Sequence, residues 1–166
     1  MKTRDTQFTD RNKKIAVSGV SAFLLLLLYL LIFGFSEQDG ETSSSFSYYL
    51  SEKCAELLRS LTGGSWTDAL VENMARYLEH PLRKLAHFGE YACMGTLVAL
   101  FLAPWMKRGR KFYFLTVCWV FVSAGLDELH QLFVPGRYGS FADVLLDTSG
   151  GAFGMAFCLL FLWKKR

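Results

Sequence analysis

The chain has 166 residues, 52% of them hydrophobic, with a mean hydropathy of +0.24 and a formal net charge of +3. That is too apolar for an ordinary soluble domain and long enough for one small unit, so the composition points to an integral membrane protein. Of its 18 basic residues 12 cluster in three short segments, which speaks against a nucleic-acid face and makes the pI near 8.7 a sign of anchoring beside anionic lipid.

From the N-terminus, "IAVSGVSAFLLLLLYLLIFGF", Ile15 to Phe35, holds 21 residues without a charge. At about 1.5 Å per residue it crosses the roughly 30 Å hydrocarbon core. The basic front "MKTRDTQFTDRNKK" would also suit a signal peptide, but the apolar run is long and no A-x-A-like cleavage site follows it, which favours a retained anchor.

The segment Ser36 to Arg83 follows. Its polar start, "SEQDGETSSS", reads as a flexible tether. Phe46, Tyr49, Leu50, Lys53, Cys54, Leu57, Leu58 and Leu61 then recur at helical spacing, and Gly63-Gly64 ends the pattern. "SWTD", Ser65 to Asp68, reads as a capped start for a second helix with Trp66, Ala69, Leu70, Met74, Tyr77 and Leu78 on its apolar side, stopped by His80-Pro81. Two short amphipathic helices are expected, lying on the outer membrane surface or covering the bundle, because each apolar stripe needs somewhere to bury.

Three weaker spans come next: Leu85 to Trp105, Phe112 to about Phe133, and about Ala142 to Trp163. The charge-free part of the middle one, Phe112 to Leu126, is only 15 residues, so Asp127 and Glu128 must lie near or inside the membrane boundary. Orientation follows from Lys and Arg: Lys2, Arg4, Arg11, Lys13 and Lys14 precede the first span, Lys107, Arg108, Arg110 and Lys111 join the second and third, and Lys164, Lys165 and Arg166 close the chain. The positive-inside rule then puts both termini and the middle loop in the cytoplasm. The expected fold is an all-α membrane protein of four transmembrane helices, N-in and C-in, forming a single domain over residues 1–166 with residues 36–83 outside. Cys93, Cys118 and Cys158 fall in spans and only Cys54 outside, so no disulfide framework is expected and buried small hydrophobes are the reading.

Ionisable groups at membrane depth cost several kcal/mol and are shielded, paired or functional. In "RKLAHFGEY", Arg83, His87, Glu90 and Met94 share a helical face, as do Lys84, His87 and Tyr91. In "DELHQ", Asp127, His130 and Gln131 share one, and Glu128 meets Gln131. Asp143 and Asp147 stand one turn apart. Cations at the N-terminal end of the second span and carboxylates at the C-terminal end of the third are each unfavourable against the helix dipole, and become acceptable if they meet in a paired network. In "VPGRYGS", Pro135-Gly136 fits a turn that holds Arg137 near the acids, for a salt bridge to Asp143 or Glu128 or for an external anion. Gly150, Gly151 and Gly154 read as plain helix packing.

"RKLAHFGEYACMG" followed by "DELHQLFVPGRYGSFADVLLDTSGGAFG" resembles the VanZ-like family, associated with teicoplanin resistance. The resemblance runs from about Arg83 to Gly154, and the ordered combination is specific where single pieces are not. It implies that Lys84, His87, Glu90, Tyr91, Asp127, Glu128, Gln131, Pro135, Arg137, Asp143 and Gly150 are the family's positions in this chain. Many members have Asn where this chain has Asp147.

Three functions are expected in turn. One is a cell-envelope protein of the cytoplasmic membrane whose extracytoplasmic site, built from Lys84, His87, Glu90, Tyr91, Asp127, Glu128, Gln131, Arg137, Asp143 and Asp147, binds a lipid or lipid-linked cell-wall precursor headgroup, or a glycopeptide. Another is a membrane-embedded enzyme on a lipid-linked substrate, with His87, Glu90, Asp127 and Glu128 as catalytic candidates. The third is a structural partner protein with an internal polar clasp. No cofactor is expected; a metal on His87, Glu90, Asp127, Glu128 and Asp143 is conceivable, but the H-E-x-x-H spacing is missing. A transport path ranks below these, because polar groups occur at one depth only.

Overall fold

The computed structural model describes residues 4–162, which form five α-helices and no strand: α1 (Arg4–Ser36), α2 (Gly40–Leu61), α3 (Asp68–Leu102), α4 (Arg110–Gln131) and α5 (Phe141–Phe157), the last running into a π-helical turn, Cys158–Leu162. The expectations for Lys2, Trp163, Lys164, Lys165 and Arg166 lie outside the described residues. Four helices, α1, α3, α4 and α5, are long and apolar enough to cross a membrane.

Along α1, the buried positions are Ser18, Ser21, Leu25, Ile32 and Ser36, a helical-period stripe facing the other helices. Its other faces expose Phe23, Leu26, Leu30 and Phe33. Serines flanking Leu25 and Ile32 on the inward face, and large apolar residues outward, suit hydrocarbon rather than water.

The expected tether is mostly helix. Three residues separate α1 from α2, and the Asp39 carboxylate accepts the Thr42 N–H at 2.7 Å, capping α2 at its start. Hydroxyls repay the composition: Ser47 and Ser51 donate back to carbonyls one turn earlier, so a serine-rich run need not break the helix. At the other end Gly63 and Gly64 take φ of 85° and 75°, and the Gly64 N–H closes on the Arg59 carbonyl at 2.9 Å.

The second expected amphipathic helix does not stand alone. Thr67, within the stretch read as a capped start, caps it, and the helix continues unbroken through Pro81 into the span, giving α3 its 35 residues. Proline removes only the bond to the carbonyl four residues earlier, that of Tyr77, and Tyr77 is exposed. Without another break, the helical pattern on both sides joins. Residues 68–82 and α2 bury their stripes against each other around Ala55, Val71 and Ala75, with Trp66 and Met74 alongside.

α3 is the hub, touching every other helix. Its crossing with α5 is closest: a Cβ on Gly154 would collide with the Ala92 carbonyl, one on Gly150 with the Phe88 carbonyl, and one on Gly95 with Gly151. Thr96 Oγ1 donates to the Gly154 carbonyl at 2.9 Å in the same contact. The packing role expected of the α5 glycines is observed. Around this crossing sit Tyr91, Met94, Val98, Val120, Ala124 and Val144, all buried.

Lys13, Lys14, Lys107 and Arg108 line one cavity of about 970 Å³ at the end where α1 begins and α3 meets α4. Lys84 lies 19 residues before Ala103 on the same helix, about 28 Å away along the axis. Basic groups thus crowd one end of the bundle and the acidic motif the other. Of the four cysteines, all free, only Cys158 is buried, and Cys93 faces outward, contrary to the expectation of buried small hydrophobes.

Candidate functional site

At the acidic end, the start of the α3 span, the last turns of α4, the 132–140 loop and the first turns of α5 surround a cavity of about 300 Å³. Its wall includes Lys84, His87, Glu128, Gln131, Arg137, Asp143 and Asp147. Glu90 opens with His87 into the adjoining space by α2. Tyr91 and Asp127 lie beneath, fully buried. Helices from separate parts of the sequence therefore bring all ten expected residues to one end of the bundle, in or just beneath the two adjoining spaces.

The pairing differs from the expected one. Lys84 Nζ donates to Asp143 Oδ1 on α5 at 2.5 Å, rather than to the α4 carboxylates. Glu128 Oε2 accepts the main-chain N–H of Ser140, the residue before α5, at 2.7 Å. One oxygen of Asp127 accepts from Gln131 Nε2 at 3.2 Å. The other has no hydrogen-bond partner, and neither has either oxygen of Asp147, which is 1% exposed. So the charges gather, but they do not fully neutralise one another. The reason is geometric: the close α3–α5 contact brings Asp143 to Lys84, while Asp147 sits a turn deeper, below the reach of any cation in the wall. His87 Nδ1 stands 3.6 Å from Glu90 Oε2, too long for a hydrogen bond.

Arg137 makes a salt bridge to neither Asp143 nor Glu128. The Val134–Arg137 turn closes with the Arg137 N–H on the Val134 carbonyl, and Gly136 takes the φ of 73° that such a turn requires at its third position. From there the guanidinium reaches across to α1, donating to the Phe35 carbonyl at 2.8 Å and the Gln38 carbonyl at 3.2 Å. The Gly40 N–H returns a bond to the Pro135 carbonyl, so the α1–α2 and α4–α5 junctions are tied together. Burial pushes the Arg137 guanidinium below its ordinary value and Arg83 adds to this, while Asp127, Glu128 and Asp39 pull the other way. It remains a cation. Because its acceptors are neutral carbonyls, its charge is not cancelled by a contact.

Arg83 also turns from the α4 acids, bonding Glu79 at 2.9 Å and the hydroxyls of Ser44 and Ser47 on α2. His130 does not line the cavity and packs edge-on against Phe33 of α1. His80, Tyr138 and Ser140 join the cavity wall without having been foreseen. For His80 a signal existed: it leads Arg83, Lys84 and His87 by three, four and seven residues, one helical face, hidden once Pro81 was read as a stop.

Among the described residues no three His, Cys, Asp or Glu side chains group as metal ligands. The site is an acid-rich cavity with cations on its rim, able to hold an anion at the rim and to exchange protons deeper in.

No curated protein and no solved structure matches the chain. Residues 21–162, from within α1 to the end of the π-helical turn and including the cavity, match the family described as VanZ/LLP1, and the chain belongs to that family.

Proposed function

We propose that the chain is a multi-pass protein of the bacterial cytoplasmic membrane, N-in and C-in, whose cavity faces the extracytoplasmic leaflet and binds the headgroup of a membrane lipid or lipid-linked cell-wall precursor, altering sensitivity to teicoplanin-type glycopeptides. The observation that carries the reading is the cavity itself, with Arg83, Lys84 and Arg137 at a rim reachable from one end of the bundle. The basic groups at the opposite end support the orientation. The VanZ-type motif supports the link to glycopeptides.

The test is protection of a susceptible host from teicoplanin by the chain and by Arg137→Ala and Glu128→Gln. Loss of protection with intact folding and membrane level is expected. Folded variants that still protect would sink a binding site and leave a structural clasp.

A second reading rests on Asp147. A buried carboxylate with no partner, in a wall shared with His87 and Glu128, is where acid–base chemistry on a lipid-linked substrate would sit. Product formation from a purified lipid-linked precursor, lost in Asp147→Asn, would favour it; a precursor bound but unchanged would exclude it.

A further inference from the structure

The polar cavity has a smaller neighbour, of about 100 Å³, between the end of α1, the first turns of α2, and α3. Phe35, Phe46, Leu50, Leu82 and Ala86 supply the apolar part of its lining. Phe35 and Phe46 stack with ring centroids 6.4 Å apart, forming one wall. Both spaces share Arg83, His87 and Arg137, so the cations stand where the apolar groove meets the polar cavity. Among the described residues, Nη1 of neither guanidinium makes a hydrogen bond.

The two sides of this seam differ in what they admit. On the groove side, an apolar cavity of this order holds a group of a few carbons; one of about 150 Å³ takes a benzene. On the cavity side stand Glu128 and Asp143, which are acceptors already engaged by the Ser140 N–H and by Lys84 and oppose the entry of an anion. An anion attracted to the guanidiniums is therefore held at the seam. Any substituent that gains by leaving water goes into the groove.

We infer that the site takes an amphiphile: a phosphoester held at the seam by Arg83 and Arg137, whose hydrocarbon chain enters the groove between α2 and α3. The inference rests on the headgroup reading above and adds the chain to it. The shape follows from α2, whose capped start and ties to the 134–137 turn place Phe46 and Leu50 opposite Leu82 and Ala86. Free phosphate would use the seam alone, whereas a lipid phosphate would use both parts.

The experiment measures binding of inorganic phosphate and of hexyl phosphate to the purified full chain in nanodiscs. Hexyl phosphate is expected to bind at least about tenfold tighter, since burying even two methylenes is worth that much. Ala86→Phe and Leu50→Trp, both at exposed positions that tolerate bulk, should each remove the gain while leaving phosphate binding in place. A chain-length gain that survives both folded variants overturns the groove and spares the headgroup reading, as does equal affinity for the two probes. Binding of neither probe, or binding indifferent to both Arg83→Gln and Arg137→Gln, overturns the headgroup reading and this inference with it.

Discussion

Lys84 on α3 and Asp143 on α5, 59 residues apart in sequence, meet at 2.5 Å across the mouth of the cavity. Their side chains are 38% and 30% exposed, which puts the pair between a surface bridge and a buried one. Lys84→Ala or Asp143→Ala is therefore expected to cost only about 1 kcal/mol of stability. Lys84→Met with Asp143→Leu should recover most of that loss, since an apolar pair of similar size removes both charges together. Thermal unfolding of the single and double variants checks this. A loss of several kcal/mol in the double variant would show a deeper structural role for the charges.

The α3–α5 contact is less forgiving. Gly154→Ala drives a methyl into the Ala92 carbonyl and Gly95→Ala into Gly151, so each should destabilise the fold by about 1–3 kcal/mol, as overpacking does. Gly89 sits in the same helix with open space around it. Gly89→Ala should instead gain about 0.5–1 kcal/mol from reduced backbone freedom in the unfolded chain. Equal effects at the three positions would contradict the close approach.

Asp147 carries two buried, unpartnered oxygens. Asp147→Leu, of similar shape, removes a carboxylate that the bundle does not satisfy and leaves no polar atom in its place, so thermal stability should rise, by up to about 3 kcal/mol. Activity separates the readings. Protection against teicoplanin that survives this change would remove Asp147 from any proton-transfer role.

Pro81 interrupts one hydrogen bond of an otherwise continuous helix. Pro81→Ala adds the missing donor opposite the Tyr77 carbonyl and should stabilise α3 by about 1–3 kcal/mol, seen as slower amide exchange around residues 77–82. Faster exchange there would mean that two separate helices exist in solution.

The start of α2 should respond to acid. Its cap, Asp39, has a carboxyl held below its ordinary value of 3.8 by hydrogen bonds from Thr42. A depressed folded-state value means the cap stabilises above pH 3.8 and fades as pH falls through the folded value. Amide exchange at residues 40–44 should accelerate below that range, and Asp39→Ala should show the fast rate at every pH. Because α2 walls the groove, hexyl phosphate binding should weaken in parallel.

Much of this architecture was legible from residue order. A bilayer demands long apolar helices, so the runs beginning at Ile15, Leu85, Phe112 and Ala142 could be read directly, and charged residues flanking those runs marked where each must end. Helical spacing also carried the site, since His87 and Glu90, or Asp143 and Asp147, share a face in any α-helix. What spacing cannot report is which neighbour a face meets. That Lys84 finds Asp143 rather than Glu128, that Arg137 binds main-chain carbonyls of the α1–α2 junction, and that Asp147 is left without a partner all follow from the glycine-mediated closeness of α3 and α5 and from the turn at Gly136. Pro81 misled for the same reason. A proline costs one hydrogen bond locally, and whether the helix survives it depends on packing that only the folded chain supplies.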